Sequence, residues 1–131
     1  MERDGTPCNC GRRGCLETKV SYSAMASKRP FALKEFGDAY RKAKEEGAAE
    51  FFDEAIDLFA RTIVNSTTIL APNRVVLCGK LFSDEEIRKR LIANCMEYDA
   101  SCNENRIIYS SLAGEEDYIG AVASFVQTVL F

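Results

Sequence analysis

The chain has 131 residues, 47% of them hydrophobic, and a formal net charge of −3. That length suits one hydrophobic core, and the mild acidity argues against a nucleic-acid-binding face, which needs clustered basic residues. No apolar run approaches the roughly 18 residues that span a bilayer, and Met1-Glu2-Arg3-Asp4 lacks a signal-peptide core, so a cytoplasmic location with reduced cysteines and no membrane partner is expected.

The chain opens on its most informative stretch, Cys8-Asn9-Cys10-Gly11-Arg12-Arg13-Gly14-Cys15-Leu16-Glu17. Zinc favours tetrahedral thiolate and imidazole ligands, and Gly11 and Gly14 let the backbone turn tightly enough for three sulfurs to converge. Cys8, Cys10 and Cys15 are therefore candidate metal ligands. A reduced, metal-free loop is the bland alternative, and a Cys8–Cys15 disulfide a poorer one. Three ligands do not close a structural site, and the chain has no histidine. The fourth ligand is then water, a carboxylate, another chain or an upstream residue. Cys78, Cys95 and Cys102 are scattered and read as ordinary residues.

After the loop, Leu16, Val20 and Ala24 fall on one face of a helix predicted over 16–26. Pro30 ends it by constraining the preceding residue. A second helix is predicted over 33–46, with Phe36, Ala39, Tyr40 and Ala43 inward and Gly47 as its stop. A long helix over 48–70 carries a stripe of Phe51, Phe52, Ala55, Ile56, Phe59, Ile63 and Ile69/Leu70. The apolar run 74–79 has the composition of a buried parallel strand. Ser83 with Glu86 fits a capping box, starting a helix that reaches about 98 and buries Ile87, Leu91, Ile92 and Cys95. A second strand follows over 106–110. A last helix opens at 113–115 and buries Ile119, Val122, Phe125, Val126 and Val129.

From 48 onward the order is helix, strand, helix, strand, helix. That alternation predicts an α/β class with parallel strands and crossover helices. Two strands make a poor sheet alone, so the segment reads as the end of a larger α/β domain whose other strands lie upstream or on another chain.

Residues 5–17 resemble the cysteine signature of the ROK family (repressors, open reading frames and sugar kinases), C-x-C-G-x-x-G-C-x-E, at every fixed position. Pro72-Asn73-Arg74-Val75-Val76-Leu77-Cys78-Gly79 resembles the family's P-x-x-I-V-L-G-G strand and turn, and 111–123 its C-terminal helix. The resemblance implies the C-terminal portion of an actin-like ATPase (ribonuclease H-like) lobe, helix-rich with short parallel strands. It divides the chain into a zinc-binding loop over 1–17 and an α/β and helical scaffold over 18–131.

It further implies that Cys8, Cys10 and Cys15 bind zinc together with an upstream histidine, and that Glu17 accepts hydrogen bonds from sugar hydroxyls. Gly79 matches the turn that approaches an adenine nucleotide, although Lys80 and Leu81 depart from the glycine usual there in the kinases. The family's phosphate-binding loop and catalytic aspartate would lie upstream, so no catalytic residue is assigned and phosphoryl transfer by this chain alone is not expected. The leading expectation is the sugar-sensing, dimerising part of a ROK-type transcriptional regulator. It would bind a small sugar or sugar phosphate, form a homodimer, and reach DNA only through an upstream domain. The alternative is the C-terminal lobe of a ROK sugar kinase using ATP and magnesium, and a third is a degenerate fragment with a structural role.

Overall fold

The computed structural model describes residues 3–32 and 35–110. Its elements are α1 (Glu17–Val20), α2 (Tyr22–Lys28), α3 (Phe36–Glu45), α4 (Glu50–Leu70), β1 (Val75–Leu77), α5 (Glu85–Tyr98) and β2 (Ile107–Tyr109), with a 3₁₀ turn at Lys80–Phe82. The expected last helix lies outside the described residues.

The core lies along α4. Its 3.6-residue periodicity puts Phe52, Ala55, Ile56 and Ala60 on one buried stripe, facing Ile87, Leu91 and Cys95 of α5. Phe52 is fully buried, and the rings of Phe31, Phe36 and Tyr40 stand 5.3–5.9 Å from it. Such tilted and edge-on packing adds to the area term. Thr67 is buried at the far end, where its hydroxyl donates to Val64 O at 2.8 Å and meets Cys102 Sγ at 3.6 Å. The stripe stops short of the helix end, and Ile69 and Leu70 are 81% and 74% exposed instead of core-facing. Ala71 closes α4 in the left-handed region (φ 46°), its N–H bonding Thr67 O.

β1 and β2 pair in parallel, Val75 opposite Ile107 and Leu77 opposite Tyr109, with α5 as the crossover. Parallel pairing is as expected. Burial on both faces is not, because Leu77 is buried while Val76 on the opposite face is 51% exposed. Both strands are also a residue or two shorter at each end than the apolar runs suggest.

Two local expectations need correction. The helix predicted over 16–26 is two helices, broken at Ser21, whose backbone is extended (ψ 152°) and whose Oγ accepts from Ala24 N at 3.2 Å. A serine that caps a new helix outcompetes its place inside an old one. The cap of α5 is Asp84, not Ser83. Asp84 Oδ1 accepts from the N–H groups of Glu86 and Ile87 at 2.9 and 3.2 Å. Ser83 is consumed by the 3₁₀ turn, its Oγ donating to Lys80 O at 2.7 Å.

Asp84 also ties α3 to α5. Arg41 donates to Asp84 at 2.9 Å, to Glu86 at 3.3 Å and to Asp38 at 2.7 Å. This close approach explains Gly37, since a Cβ there would overlap the Asp84 side chain. Among the described residues, no helix is long and apolar enough to cross a membrane.

Candidate metal centre and adjoining groove

The loop ahead of α1 has almost no buried apolar side chain, and local backbone bonds shape it. Cys8 N donates to Arg12 O at 2.8 Å, Gly11 N to Cys8 O at 3.0 Å and Gly14 N to Thr6 O at 2.9 Å. Pro7 and Arg13 face each other in an antiparallel bridge. Gly11 (φ 82°) and Gly14 (φ 62°) occupy the left-handed region that makes this fold-back possible.

The result brings the sulfurs of Cys8, Cys10 and Cys15 within 4.8 Å of one another. Cys10 Sγ and Cys15 Sγ are 3.6 Å apart. Two thiolates on a tetrahedral zinc, each about 2.3 Å from the ion, stand about 3.8 Å apart. The spacing and the all-sulfur donor set therefore fit zinc, and the structure brings together all three cysteines singled out from the sequence.

The sulfurs differ in their surroundings. Arg12 Nε lies 3.4 Å from Cys10 Sγ, and that guanidinium contact, followed by a backbone bond, lowers the Cys10 pKa to about 6. Cys15 is pushed the other way, to about 11, because its sulfur faces Cys10 and is partly desolvated. Arg12 thus favours a thiolate at the position a cation would occupy next.

Glu17 follows Cys15 by two residues and opens α1. The turn is pinned at its start, as Thr18 Oγ1 donates to Cys15 O at 2.7 Å and Thr18 N to the same oxygen at 3.0 Å. Glu17 is exposed, and its Oε2 accepts from the Cys8 thiol at 3.7 Å. Beside it lies an open groove of about 280 Å³, whose lining includes Cys8, Asn9, Glu17, Thr18, Ser21 and Ser23. The groove offers a carboxylate acceptor, an amide and several hydroxyls, a set suited to a polar ligand rich in hydroxyl donors.

Sequence reasoning missed Asn9, Ser21 and Ser23 as lining residues. For Asn9 the available signal was its place between two candidate ligands. The two serines reach the groove only because the chain breaks at Ser21, which apolar periodicity does not reveal.

Gly79 sits apart from this groove, at the end of β1. Its φ of 94° demands glycine, and nothing lies within 4 Å of where a Cβ would be. Lys80 and Leu81 turn directly into the 3₁₀ segment, with Lys80 exposed. Cys78 is exposed, whereas Cys95 and Cys102 are fully buried.

Comparison with known proteins agrees with this architecture. The model of the ROK family matches residues 1–128. The crystal structure of the ROK hexokinase from Thermus thermophilus superposes with a TM-score of 0.69 at 23% identity, covering 92% of this chain and 43% of the hexokinase. The fold is thus α/β of the actin-like type. An N-acetyl-D-glucosamine kinase from Pectobacterium carotovorum subsp. carotovorum (strain PC1) is 32% identical over 87 residues, which is 61% of this chain and 28% of the kinase. The chain spans less than half the length of either relative.

Proposed function

The chain belongs to the ROK family, and on that premise we propose that it supplies the zinc-anchored, sugar-contacting part of a kinase-type ROK protein. The observation that carries this is the placement of Glu17. Its carboxylate sits against Cys8, two residues beyond Cys15, on the wall of a polar groove. Cys8, Cys10 and Cys15 would hold the zinc, which when bound contributes a rigid cross-link of the loop and no chemistry at the sugar.

What the chain's own residues do then follows from their donors and acceptors. A carboxylate is acceptor-only and can take two hydroxyl donors in charge-assisted bonds, which orients a sugar through adjacent hydroxyls. Binding α1 to Cys15 through Thr18 limits how far Glu17 can drift from that position. Such positioning is worth most when the group is held before the ligand arrives.

The relatives with 32% and 23% identity are an N-acetyl-D-glucosamine kinase and a hexokinase, which favours the kinase reading over the regulator. Under this reading Gly79 leaves the backbone at the end of β1 open to an ATP–magnesium ligand.

The test is calorimetric titration of the zinc-loaded 131-residue chain with N-acetyl-D-glucosamine and with D-glucose. We expect saturable heat for at least one sugar and a loss of about tenfold or more in affinity for Glu17→Gln, which removes one charge-assisted acceptor. Equal affinity of wild type and Glu17→Gln would remove Glu17 from the site.

A further inference from the structure

We infer that Cys10 and Cys15 form a reversible dithiol–disulfide pair, so that the loop able to hold a metal also responds to peroxide. Their sulfurs are already 3.6 Å apart, while Cys8 Sγ, within 4.8 Å of both, also donates to the Glu17 carboxylate at 3.7 Å. A disulfide is about 2.05 Å long, so the two sulfurs must close by roughly 1.6 Å. The segment between them begins and ends in glycine, Gly11 and Gly14, and a Cβ at Gly11 would meet nothing within 4 Å. Side-chain rotation with small glycine adjustments supplies the closure. Cys10 is exposed and Cys15 partly exposed, so a small oxidant reaches both.

The step balances with hydrogen peroxide as oxidant. The sulfur of one thiol forms a bond to a peroxide oxygen as the O–O bond breaks, giving a sulfenic acid and one water. The sulfur of the second thiol then displaces the sulfenic oxygen, which leaves as a second water, and the S–S bond forms. Two thiols lose two electrons and two protons, and peroxide is reduced to water. A thiol reductant reverses the bond by exchange through a mixed disulfide.

The same two sulfurs cannot serve a disulfide and a metal. Oxidation leaves Cys8 as the sole thiol of the cluster, too few for a structural site. Metal loading and oxidation therefore exclude each other. This inference stands on the sulfur geometry and is independent of whether Glu17 contacts a sugar.

The experiment uses the reduced, chelator-stripped 131-residue chain exposed to hydrogen peroxide and then alkylated and digested with trypsin without reduction. Cleavage at Arg3, Arg12, Arg13 and Lys19 places Cys8 and Cys10 together in 4–12 and Cys15 in 14–19. We expect two of the six thiols to disappear, a mass loss of about 2 Da, and a 4–12/14–19 cross-link that dithiothreitol removes. Fragment ions should locate the link on Cys10, Cys8→Ser should retain it, and Cys10→Ser should lose it. Zinc at one equivalent should slow thiol loss about tenfold or more. The wild-type map needs no variant to fold, and far-UV circular dichroism before and after oxidation checks that the fold persists. A link through Cys8, a link surviving in Cys10→Ser, or oxidation to sulfinic acid without any link would overturn the pairing. Thiol loss unaffected by zinc would overturn the exclusion of metal by disulfide.

Discussion

The cysteine loop and the α4–α5 body are held by different forces. In the body, Phe52, Ile87, Leu91 and Cys95 are at most 1% exposed and pack against one another. In the loop up to Cys15, the cysteines are exposed or only partly covered, and the shape rests on three backbone hydrogen bonds and two left-handed glycines. Hydrophobic burial scales with area and does not depend on any one ion. A loop without such burial lacks that reserve, and a metal clip is the usual substitute. The body should therefore survive metal removal, whereas the loop, left to its backbone bonds, should keep Cys10 beside Cys15 but hold Glu17 less firmly.

The largest effect that would break this division comes from the body. Phe52→Ala removes a fully buried ring from among four aromatic neighbours and should cost about 3–5 kcal/mol. Urea unfolding followed by circular dichroism would measure it, and a loss under about 1 kcal/mol would mean the core lies elsewhere. Gly37→Ala comes next, because a methyl there displaces the Asp84 side chain from its capping position. An added methyl in a packed site costs about 1–3 kcal/mol, again read by urea unfolding. Asp84→Ala, which deletes the cap but adds no clash, should cost about 1 kcal/mol. A smaller penalty for Gly37→Ala than for Asp84→Ala would show that the overlap relaxes without moving the cap.

Substitutions in the loop should act in the opposite sense. Cys10→Ser should remove most zinc binding, measured by chelator competition, while shifting the urea midpoint little. Glu17→Gln should change stability by no more than about 0.5 kcal/mol, as expected for an exposed side chain. If Cys10→Ser instead lowered global stability as much as Phe52→Ala, loop and body would be one cooperative unit.

The two regions were also legible in the sequence to different degrees. In the body, the stripe from Phe52 to Ala60 and the crossover between parallel strands follow from apolar periodicity, because burial on one helix face is what that pattern encodes. Periodicity failed where packing ends, and Ile69 and Leu70 extend the pattern into exposed positions. It also failed where polar side chains compete for backbone groups, which moved the cap from Ser83 to Asp84 and split the first helix at Ser21. In the loop, residue types at fixed spacing pointed to Cys8, Cys10 and Cys15, the resemblance to the ROK signature added Glu17, and the structure brings the four together. The groove beside them was not legible, since Asn9, Ser21 and Ser23 meet there only through the turn at Cys8–Gly11 and the break before α2. Nor could spacing foretell that the sulfurs of Cys10 and Cys15 would stand 3.6 Å apart.

On the proposed reading, metal at the cysteine loop sets Glu17 for a sugar. Titrating N-acetyl-D-glucosamine into the zinc-loaded chain and into the same chain stripped by chelator tests it most directly. Stripping should weaken sugar affinity about tenfold or more while the circular dichroism of the helical body stays the same. Measurable binding of equal affinity in both forms would contradict it.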